Sequence, residues 1–245
     1  MLSQDPGGDN AIFRYSDIGY DILAALIHEV TGELFEDYQW HHVLDPLHMF
    51  KSTFLMGEVK PRDLAAPHLR DTSGVPVVWD RYPYARQLGP SSCLFTNIVD
   101  MSNWIMANIN GGLSYNRIMQ PETQAQLWKP LYHDPWEWTG TGYNSGFFSM
   151  TYAESGIEPV RMVISGGGMP GVCTHATIFR DQGIAAIAFV NLRATPKDPA
   201  YSWGICDNLA IRLLRGELMG KITEYGDHKA YDYQRKDDLE RLLSS

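Results

Sequence analysis

The strongest hydrophobic periodicity in the chain follows a tyrosine, a serine and an aspartate near its start. In FRYSDIGYDILAALIHEVTG, residues 13–32, the apolar positions recur at helical spacing, at Ile18, Ile22, Leu23, Leu26, Ile27 and Val30. This spacing is typical of an amphipathic helix with one buried face. Ser16 or Asp17 can cap its N terminus, and Gly32 stands where a glycine commonly ends a helix. The pattern therefore predicts a helix that buries its apolar stripe.

Two further helices are predicted before residue 112. A short helix over residues 34–42 comes first, and DPLHMFKSTF follows it as a turn and connector. TNIVDMSNWIMANINGG, residues 96–112, predicts a stronger helix that Asn97 caps and in which Asp100 completes a capping box. Its predicted buried stripe consists of Met101, Trp104, Ile105 and Ile109, and its predicted stop is Gly111 with Gly112.

Residues 57–90 break the helical pattern, because glycine and proline recur throughout this stretch. Proline at such density prevents a long helix, so we expect an irregular excursion with short strands at most. Long loops of this kind often form lids or cleft walls in compact domains.

The hydrophobic period changes to that of strands after about residue 142. GFFSMTY, VRMVIS, THATIFR and GIAAIAFVN are short β-rich runs separated by turns, including RDQG at 180–183. Four such runs with short connections predict an antiparallel meander. AYSWGICDNLAIRLLRG, residues 200–216, then predicts a final helix that Gly216 ends. One side of this helix would carry Ile205, Leu209, Leu213 and Leu214.

This order of elements predicts an α+β fold in which helices pack on one antiparallel sheet. We expect a single domain over residues 1–220. Its mainly helical part with long loops would span 13–142, and its strands with the C-terminal helix would span 143–216. The charged residues 221–245 are expected to form a surface tail.

Composition excludes some partners. The chain has 245 residues and a formal net charge of −9, with no long basic run, which argues against nucleic acid and anionic membranes. No apolar stretch approaches the ~20 residues that a membrane span needs. The polar start, MLSQDPGGDN, predicts no signal peptide, and the compartment stays open with the cytoplasm favoured. The many aromatic residues suit a cleft for an organic substrate and a packed core equally well.

Cysteine and histidine give no metal or cofactor motif. Cys93, Cys173 and Cys206 are widely spaced, so we expect reduced core residues, with one disulfide as the alternative. The histidines show no convincing three-ligand spacing. We therefore expect no metal and no cofactor.

Two stretches could carry chemistry, YSD at residues 15–17 and VISGGGMPGV at 163–172. Taken alone, Tyr15 is more typical of a tyrosine packed at the start of a helix. The three glycines taken alone favour a plain loop. The alternative for the glycines is a bulge or a strand edge that a substrate approaches closely.

Five stretches in chain order resemble the serine β-lactamase-related family, which includes class C β-lactamases, D,D-peptidases and carboxylesterases. They are YSDIGYDILAALIHEVTG, DPLHMFKSTF, GPSSCLFTNIVDMSNWIMANINGG, GYNSGFF and SGGGMPGVCTHATIFRDQGIAAIAFVN. The resemblance covers residues 13–215 and corresponds to the C-terminal two-thirds of the family's domain. It implies a β-lactamase/transpeptidase-like fold that lacks the N-terminal segment.

The resemblance also implies roles for individual residues. In this family a serine in Ser-x-x-Lys attacks a carbonyl carbon, and a tyrosine moves protons. Tyr15 occupies the position of that catalytic tyrosine. The substrate-binding positions implied by the family motifs are Asp17, Ser165, Gly166, Gly167 and Gly168. The backbone N–H of Gly168 is the implied oxyanion donor, and the Tyr15 hydroxyl is expected to face residues 166–168 across a groove.

This chain departs from the family pattern at three places. Ser-x-x-Lys is absent. Asp17 replaces an asparagine, and an ionised carboxylate can only accept hydrogen bonds. Ser165 replaces a basic or imidazole residue, which weakens the expectation of β-lactamase activity more than that of esterase activity.

We therefore expect a serine hydrolase-like domain that acts by acyl transfer on a small-molecule ester, amide or lactam. The chain is expected to begin in a connecting loop of the family fold, to lack the nucleophile and to be inactive alone. Apolar surface and a sheet edge left uncovered by the missing strands would favour self-association. The alternative is a pseudoenzyme that keeps the fold to bind a ligand or a protein partner.

Overall fold

The computed structural model describes residues 15–109, 118–129, 142–143, 146–154, 157–194 and 201–217. The α-helices are α1 (Asp17–Thr31), α2 (Phe35–Gln39), α3 (Gly89–Ser92), α4 (Ile98–Ile109), α5 (Pro121–Leu127) and α6 (Ser202–Leu214). The strands are β1 (His68–Arg70), β2 (Pro76–Val78), β3 (Gly142–Tyr143), β4 (Phe148–Glu154), β5 (Ile157–Met169), β6 (Val172–Phe179) and β7 (Ile184–Val190).

The chain divides into two compact units. The first comprises Met1–Ala65 with Tyr82–Ser165, and the second comprises Ala66–Arg81 with Gly166–Ser245. Strand β5 runs through this boundary. The expected domain layout, with its division near residue 142, stays a prediction, and the charged tail lies outside the described residues.

Helix α1 has the predicted caps. The Ser16 hydroxyl accepts a hydrogen bond from the Gly19 N–H at 3.2 Å. At the other end Gly32 adopts a left-handed conformation, with φ 76°, and its N–H donates to the His28 carbonyl at 2.8 Å. Only glycine adopts this conformation without steric cost, which explains why the helix ends there.

The predicted burial of the α1 stripe is wrong. Most of its bulky apolar side chains are more than half exposed: Ile18, Ile22, Leu23, Leu26 and Val30. The buried residue of α1 is Ala24, on the side where α1 packs against α2 and α3. Periodicity identified the helix, but it could not identify which neighbours cover each face.

The core of the first unit is built by the segment after α2. The predicted short helix is α2 followed directly by a π-helical turn, Trp40–Leu44. Next along the chain, the DPLHMF connector buries Leu47 and Met49 completely. These two side chains cluster with Leu44 and with Ala107 of α4. The connector therefore packs α4 against the π-helical turn that follows α2.

Helix α4 begins as predicted but uses Asp100 differently. The Asn97 side-chain oxygen accepts hydrogen bonds from the backbone N–H groups of Val99 and Asp100, which confirms the cap. The Asp100 carboxylate is buried and accepts from the Lys51 N–H and the Ser52 hydroxyl, each at 2.8 Å. The predicted capping box is therefore only half formed, because Asp100 anchors the connector instead. The glycines predicted to end this helix lie outside the described residues.

Residues 57–90 contain only short regular elements, as predicted. Three 3₁₀ turns occur at Met56–Glu58, Pro61–Asp63 and Arg86–Leu88. Between them β1 and β2 form a two-stranded antiparallel hairpin.

The predicted antiparallel sheet is confirmed. Strands β3 to β7 follow one another in sequence order across a five-stranded sheet, and α6 packs on β6 and β7. The predicted RDQG turn is a 3₁₀ turn that ends at Gly183, with φ 69°. The residues 166–168 belong to β5, so the interpretation of these glycines as part of a strand is correct and the plain-loop interpretation is wrong.

Helix α6 buries a different side from the one predicted. Its fully buried residues are the small side chains at every fourth position, Ser202, Cys206 and Ala210. Leu209 is 41% exposed, so the predicted leucine-rich side is not the packed one. Small residues allow the helix axis to approach the sheet closely, and the larger side chains then flank the contact. Gly216 follows the helix with φ 72°, as expected for a glycine that ends it.

Candidate active site

Tyr15 precedes α1 and is 57% exposed. Partial burial of the hydroxyl, together with a hydrogen bond to the Asp17 side chain, raises the pKa of Tyr15 to about 12. Ser16 is occupied as the helix cap. The YSD stretch therefore has two separate tasks, in which Ser16 starts the helix and Asp17 helps to raise the pKa of the phenol.

This environment limits what Tyr15 can do. A general base works best with a pKa near the ambient pH, and a phenol whose pKa is raised keeps its proton. A phenolate beside the Asp17 carboxylate would place two negative charges close together. Near neutral pH the Tyr15 phenol is therefore protonated and can donate a hydrogen bond, and it is poorly suited to act as a general base.

The glycine segment of β5 has an open backbone edge. The ladder between β4 and β5 ends where Phe148 pairs with Ile164. Among the residues that the structure describes, no strand continues β4 alongside residues 165–169. The three glycines at 166–168 are also exposed. An exposed strand edge of this kind offers backbone donors and acceptors to a ligand.

Neighbouring side chains explain why two of these positions are glycine. A Cβ atom on Gly166 would lie 2.4 Å from the Trp203 indole nitrogen and 2.7 Å from Nδ1 of His175. A Cβ atom on Gly168 would lie 1.8 Å from Nη1 of Arg193. Residues two apart share one face of a strand. Three side chains therefore occupy the space that side chains of β5 would fill on that face. They are His175 of β6, Trp203 of α6 and Arg193, which follows β7.

Sequence reasoning missed a buried polar cluster next to Gly166. The His175 side chain is completely buried and stacks on Trp203, with ring centroids 4.7 Å apart. His175 Nε2 lies 3.3 Å from the Asp207 carboxylate, which also accepts a hydrogen bond from Thr177. Nδ1 of His175 has no hydrogen-bond partner among the described residues. These residues come from two elements, so spacing along the chain could not reveal the cluster.

The three cysteines are free and buried, which confirms the expectation of reduced core residues. Burial, with a smaller contribution from the neighbouring Asp207 charge, raises the pKa of the Cys206 thiol to about 12. Burial also raises the pKa of Cys93. Reactive thiols require an accessible thiolate, so these environments do not support a cysteine nucleophile.

A cleft of about 420 Å³ lies in the first unit, between α1, α2 and the segment before α3. Its walls include Phe35, Phe54 and a pair formed by Glu36 and Arg86, whose oxygen and nitrogen are 2.8 Å apart. Burial alone would raise the pKa of Glu36, but the hydrogen bond from Arg86 leaves it below its usual value. Neither charged residue belongs to the predicted site.

Histidine and carboxylate side chains also meet near the end of α1. His41 and His42 contact the two oxygens of Glu33 at 3.0 and 3.3 Å, and these contacts lower the pKa of Glu33. Within the described ranges, no group of three or more His, Cys, Asp or Glu side chains is arranged to hold a metal ion.

The sequence matches the family model described as Beta-lactamase over residues 4–205. The chain therefore belongs to the Beta-lactamase family. It is 29% identical over 155 residues to Protein flp of Staphylococcus aureus strain MW2, an alignment that covers 60% of this chain and 28% of flp.

Solved structures share the fold. The octameric penicillin-binding protein homologue from Pyrococcus abyssi superimposes with a TM-score of 0.67 and 22% identity, over 85% of this chain and 43% of that one. A class C β-lactamase superimposes with a TM-score of 0.60 and 12% identity, over 94% of this chain and 62% of that one. The chain thus spans less than two thirds of each protein. In the described part of the chain, no helix combines the length and apolar character needed to cross a membrane.

Proposed function

We propose that this chain supplies part of a serine-hydrolase active site that catalyses acyl transfer from an ester, amide or lactam. The observation that carries the proposal is the open edge of β5 at 165–169, in a chain of the Beta-lactamase family. An acyl group can lie along such an edge and receive backbone hydrogen bonds as charge develops on its carbonyl oxygen.

Each proposed role follows from the family motifs. A serine hydroxyl from a Ser-x-x-Lys segment outside these 245 residues attacks the carbonyl carbon. The lysine of that segment accepts the serine proton, and the Gly168 N–H donates to the resulting oxyanion. Tyr15 protonates the leaving group and regains its proton from the lysine. Water then hydrolyses the acyl-serine ester and regenerates the hydroxyl. Asp17, Ser165 and the glycines at 166 and 167 line the substrate.

Ester substrates are favoured over β-lactams in this proposal. Ser165 is uncharged, so its side chain cannot pair with an acidic group on the substrate as a basic residue would. The raised pKa of Tyr15 is compatible with donation to an alkoxide leaving group, which is strongly basic.

A second candidate function is a non-catalytic binding module. The feature that favours it is the Tyr15–Asp17 contact, because a carboxylate at this position opposes any step in which the tyrosine must ionise. Such a module would use the same strand edge to hold a ligand without cleaving it.

The chain is also proposed to self-associate. The exposed apolar stripe of α1 is one candidate contact, and the outer edge of β7, the last strand in the described sheet, is another. The homologue from Pyrococcus abyssi is octameric, which agrees with this proposal.

The activity test uses a fusion protein. The upstream segment of a class C β-lactamase, including its Ser-x-x-Lys, is joined ahead of Met1, and p-nitrophenyl acetate is the substrate. We expect a burst of p-nitrophenol that the unfused chain does not give. Ethyl acetate is the second substrate, because its ethoxide leaving group must be protonated. With ethyl acetate, Tyr15→Phe should slow hydrolysis by about 10²–10⁴-fold, the usual contribution of a positioned proton donor.

Two controls make this test decisive. Replacing the added nucleophilic serine with alanine should abolish the burst, and circular dichroism should show that every variant folds. A folded fusion protein that binds the ester without a burst would favour the binding module. Hydrolysis of ethyl acetate at the same rate in Tyr15→Phe would overturn the role of Tyr15.

A further inference from the structure

The contacts of His175 determine where the proton of its neutral ring lies. Nε2 lies 3.3 Å from an oxygen of the Asp207 carboxylate. Because an ionised carboxylate can only accept hydrogen bonds, Nε2 carries the proton and Nδ1 keeps its lone pair. Nδ1 has no hydrogen-bond partner among the described residues, although the side chain is completely buried. A buried polar atom of this kind requires a physical explanation.

The Nδ1 atom of His175 faces the backbone of Gly166. A Cβ atom on Gly166 would lie 2.7 Å from Nδ1, and in glycine a hydrogen atom takes that direction. Cα–H groups form weak hydrogen bonds with acceptor atoms, so the neutral ring is compatible with this contact. The ring is held in this orientation because it stacks on Trp203 and contacts Asp207.

Protonation of His175 would make this contact unfavourable. The charged ring carries a second N–H group at Nδ1, which would point at a C–H group and would lack an acceptor. A buried donor without an acceptor is costly. In the described part of the chain, no strand continues β4 alongside residues 165–169. This segment can therefore move outward and admit water to the new N–H group.

The charges around His175 act on its protonation in opposite directions. Burial favours the neutral ring, whereas the Asp207 carboxylate favours the charged one. The Arg193 guanidinium, which lies against Gly168, opposes protonation. The Cys206 thiol stays neutral, because burial raises its pKa to about 12. Strand β7 has no titratable side chain. The other titratable side chains beside this cluster are Cys173, which contacts Ser202, and Tyr201, which stacks on Trp203.

We propose that His175 is a positioning residue for residues 166–168, which it holds in place when neutral and displaces when protonated. The consequence for chemistry rests on the proposed acyl-transfer function. Gly168 follows Gly166 by two residues, so displacement would move its N–H away from the position of an oxyanion donor. Such donors are effective only when they are held in place before the reaction. Acyl groups would therefore bind at pH values where His175 is neutral.

The test follows the His175 ring and residues 166–168 together by NMR, using the chain as it is. The protein is labelled with ¹⁵N and with ¹³C at the histidine Cε1 atoms. The pH is lowered from 8 to 5, a range in which histidine can change its charge. We expect the amide signals of 166–168 to shift with the same midpoint as the His175 ring signal. His175→Gln identifies that ring signal and should make the amide signals insensitive to pH, because glutamine does not titrate.

Asp207→Asn gives a result that a purely structural role of His175 would not produce. It removes the charge and keeps the size of the side chain, so the shared midpoint should move to lower pH. The Asp207 side chain is 34% exposed, so this variant keeps the test decisive if His175→Gln does not fold. His28→Gln is the control, because it removes an exposed histidine of α1 and should leave the midpoint unchanged.

Binding of an uncharged ligand tests the consequence for acyl groups. N-benzoylglycinamide is added at pH 8 and at pH 5, and the amide signals of 166–168 report on its binding. Its affinity should be about tenfold weaker at pH 5, the effect of losing one or two backbone hydrogen bonds. In His175→Gln the affinity should be the same at both pH values.

The outcomes distinguish this proposal from the proposed function. If the amide signals do not follow the His175 titration, or if His175 stays neutral down to pH 5, the role of His175 is overturned and the acyl site stands. Equal affinity of the unmodified chain for the ligand at both pH values also overturns that role. If the ligand binds at neither pH, the proposed function fails, and the titration of the amide signals still decides the role of His175.

Discussion

At Tyr15, a single neighbouring carboxylate influences how readily the phenol loses its proton. Asp17 contributes to the raised pKa through its hydrogen bond and through its charge, after the effect of burial. The family resemblance implies an uncharged amide at this position. An asparagine in place of Asp17 would therefore change the proton affinity of Tyr15.

Asp17→Asn should lower the pKa of Tyr15 from about 12 toward the ordinary value of 10.0. Removing the charge makes the phenolate less unfavourable, although burial keeps the pKa above that of a free tyrosine. The measurement is an NMR titration of ¹³Cζ-labelled tyrosines, with Tyr15→Phe identifying the signal. A pKa that does not change in Asp17→Asn would show that Asp17 has no influence on the phenol.

Gly166→Ala should destabilise the fold. The added methyl carbon would overlap Trp203 and the buried His175, and overpacking of this kind costs about 1–3 kcal/mol. Urea unfolding followed by circular dichroism measures the loss. Gly167→Ala is the control, because its nearest neighbour is the Thr174 hydroxyl at 3.2 Å and the effect should be smaller. Equal stability of Gly166→Ala and the unmodified chain would refute the packing explanation of this glycine.

Residues in local motifs could be predicted from the sequence, whereas residues brought together by the fold could not. Ser16 and Asn97 are caps as expected, because capping depends on neighbours a few positions away. Arg193 and His175 reach the glycine segment from other elements. Their positions depend on how the strands and α6 pack, which no short pattern encodes.

At the scale of elements, periodicity predicted the helices better than it predicted their buried faces. Helix α1 exposes its bulky stripe and buries Ala24. Helix α6 buries a line of small residues in place of its leucines. A hydrophobic stripe indicates a helix with one face that can be buried. Which surface buries that face depends on other parts of the chain or on a partner.

The exposed stripe of α1 leads to a prediction about self-association. Ile22 and Val30 are 63% and 75% exposed, so replacing both with lysine should leave the fold intact while adding charge to the stripe. We expect Ile22→Lys with Val30→Lys to shift the chain toward a monomer in sedimentation velocity experiments, since burial of apolar surface drives association.

Thr123→Lys with Gln126→Lys is the control for that prediction, because both residues are exposed on α5 and the two substitutions add the same charge as the double variant. It should leave the association state unchanged. If the double variant associates as strongly as the unmodified chain, α1 is not the contact, and the β7 edge becomes the remaining candidate.

At the scale of the whole molecule, the order of elements carried most of the information about fold. The α+β class and the antiparallel meander could be predicted because strands joined by short turns usually pair with their neighbours in sequence. The family match over residues 4–205 agrees with the resemblance drawn from five separate motifs. The expectation that Tyr15 faces residues 166–168 across a groove stays a prediction. Tyr15 belongs to the first unit and residues 166–168 belong to the second.

The central claim is that this chain contributes an oxyanion donor and a proton donor to acyl transfer but does not supply the nucleophile. Intact-mass measurement after incubation with a fluorophosphonate probe tests it most directly. Loss of the nucleophile alone removes on the order of 10⁶ in turnover from a serine protease, so the purified chain should keep its unmodified mass. A stoichiometric adduct on a serine of this chain, with Ser16, Ser91, Ser92 and Ser165 the positions to map first, would contradict the claim.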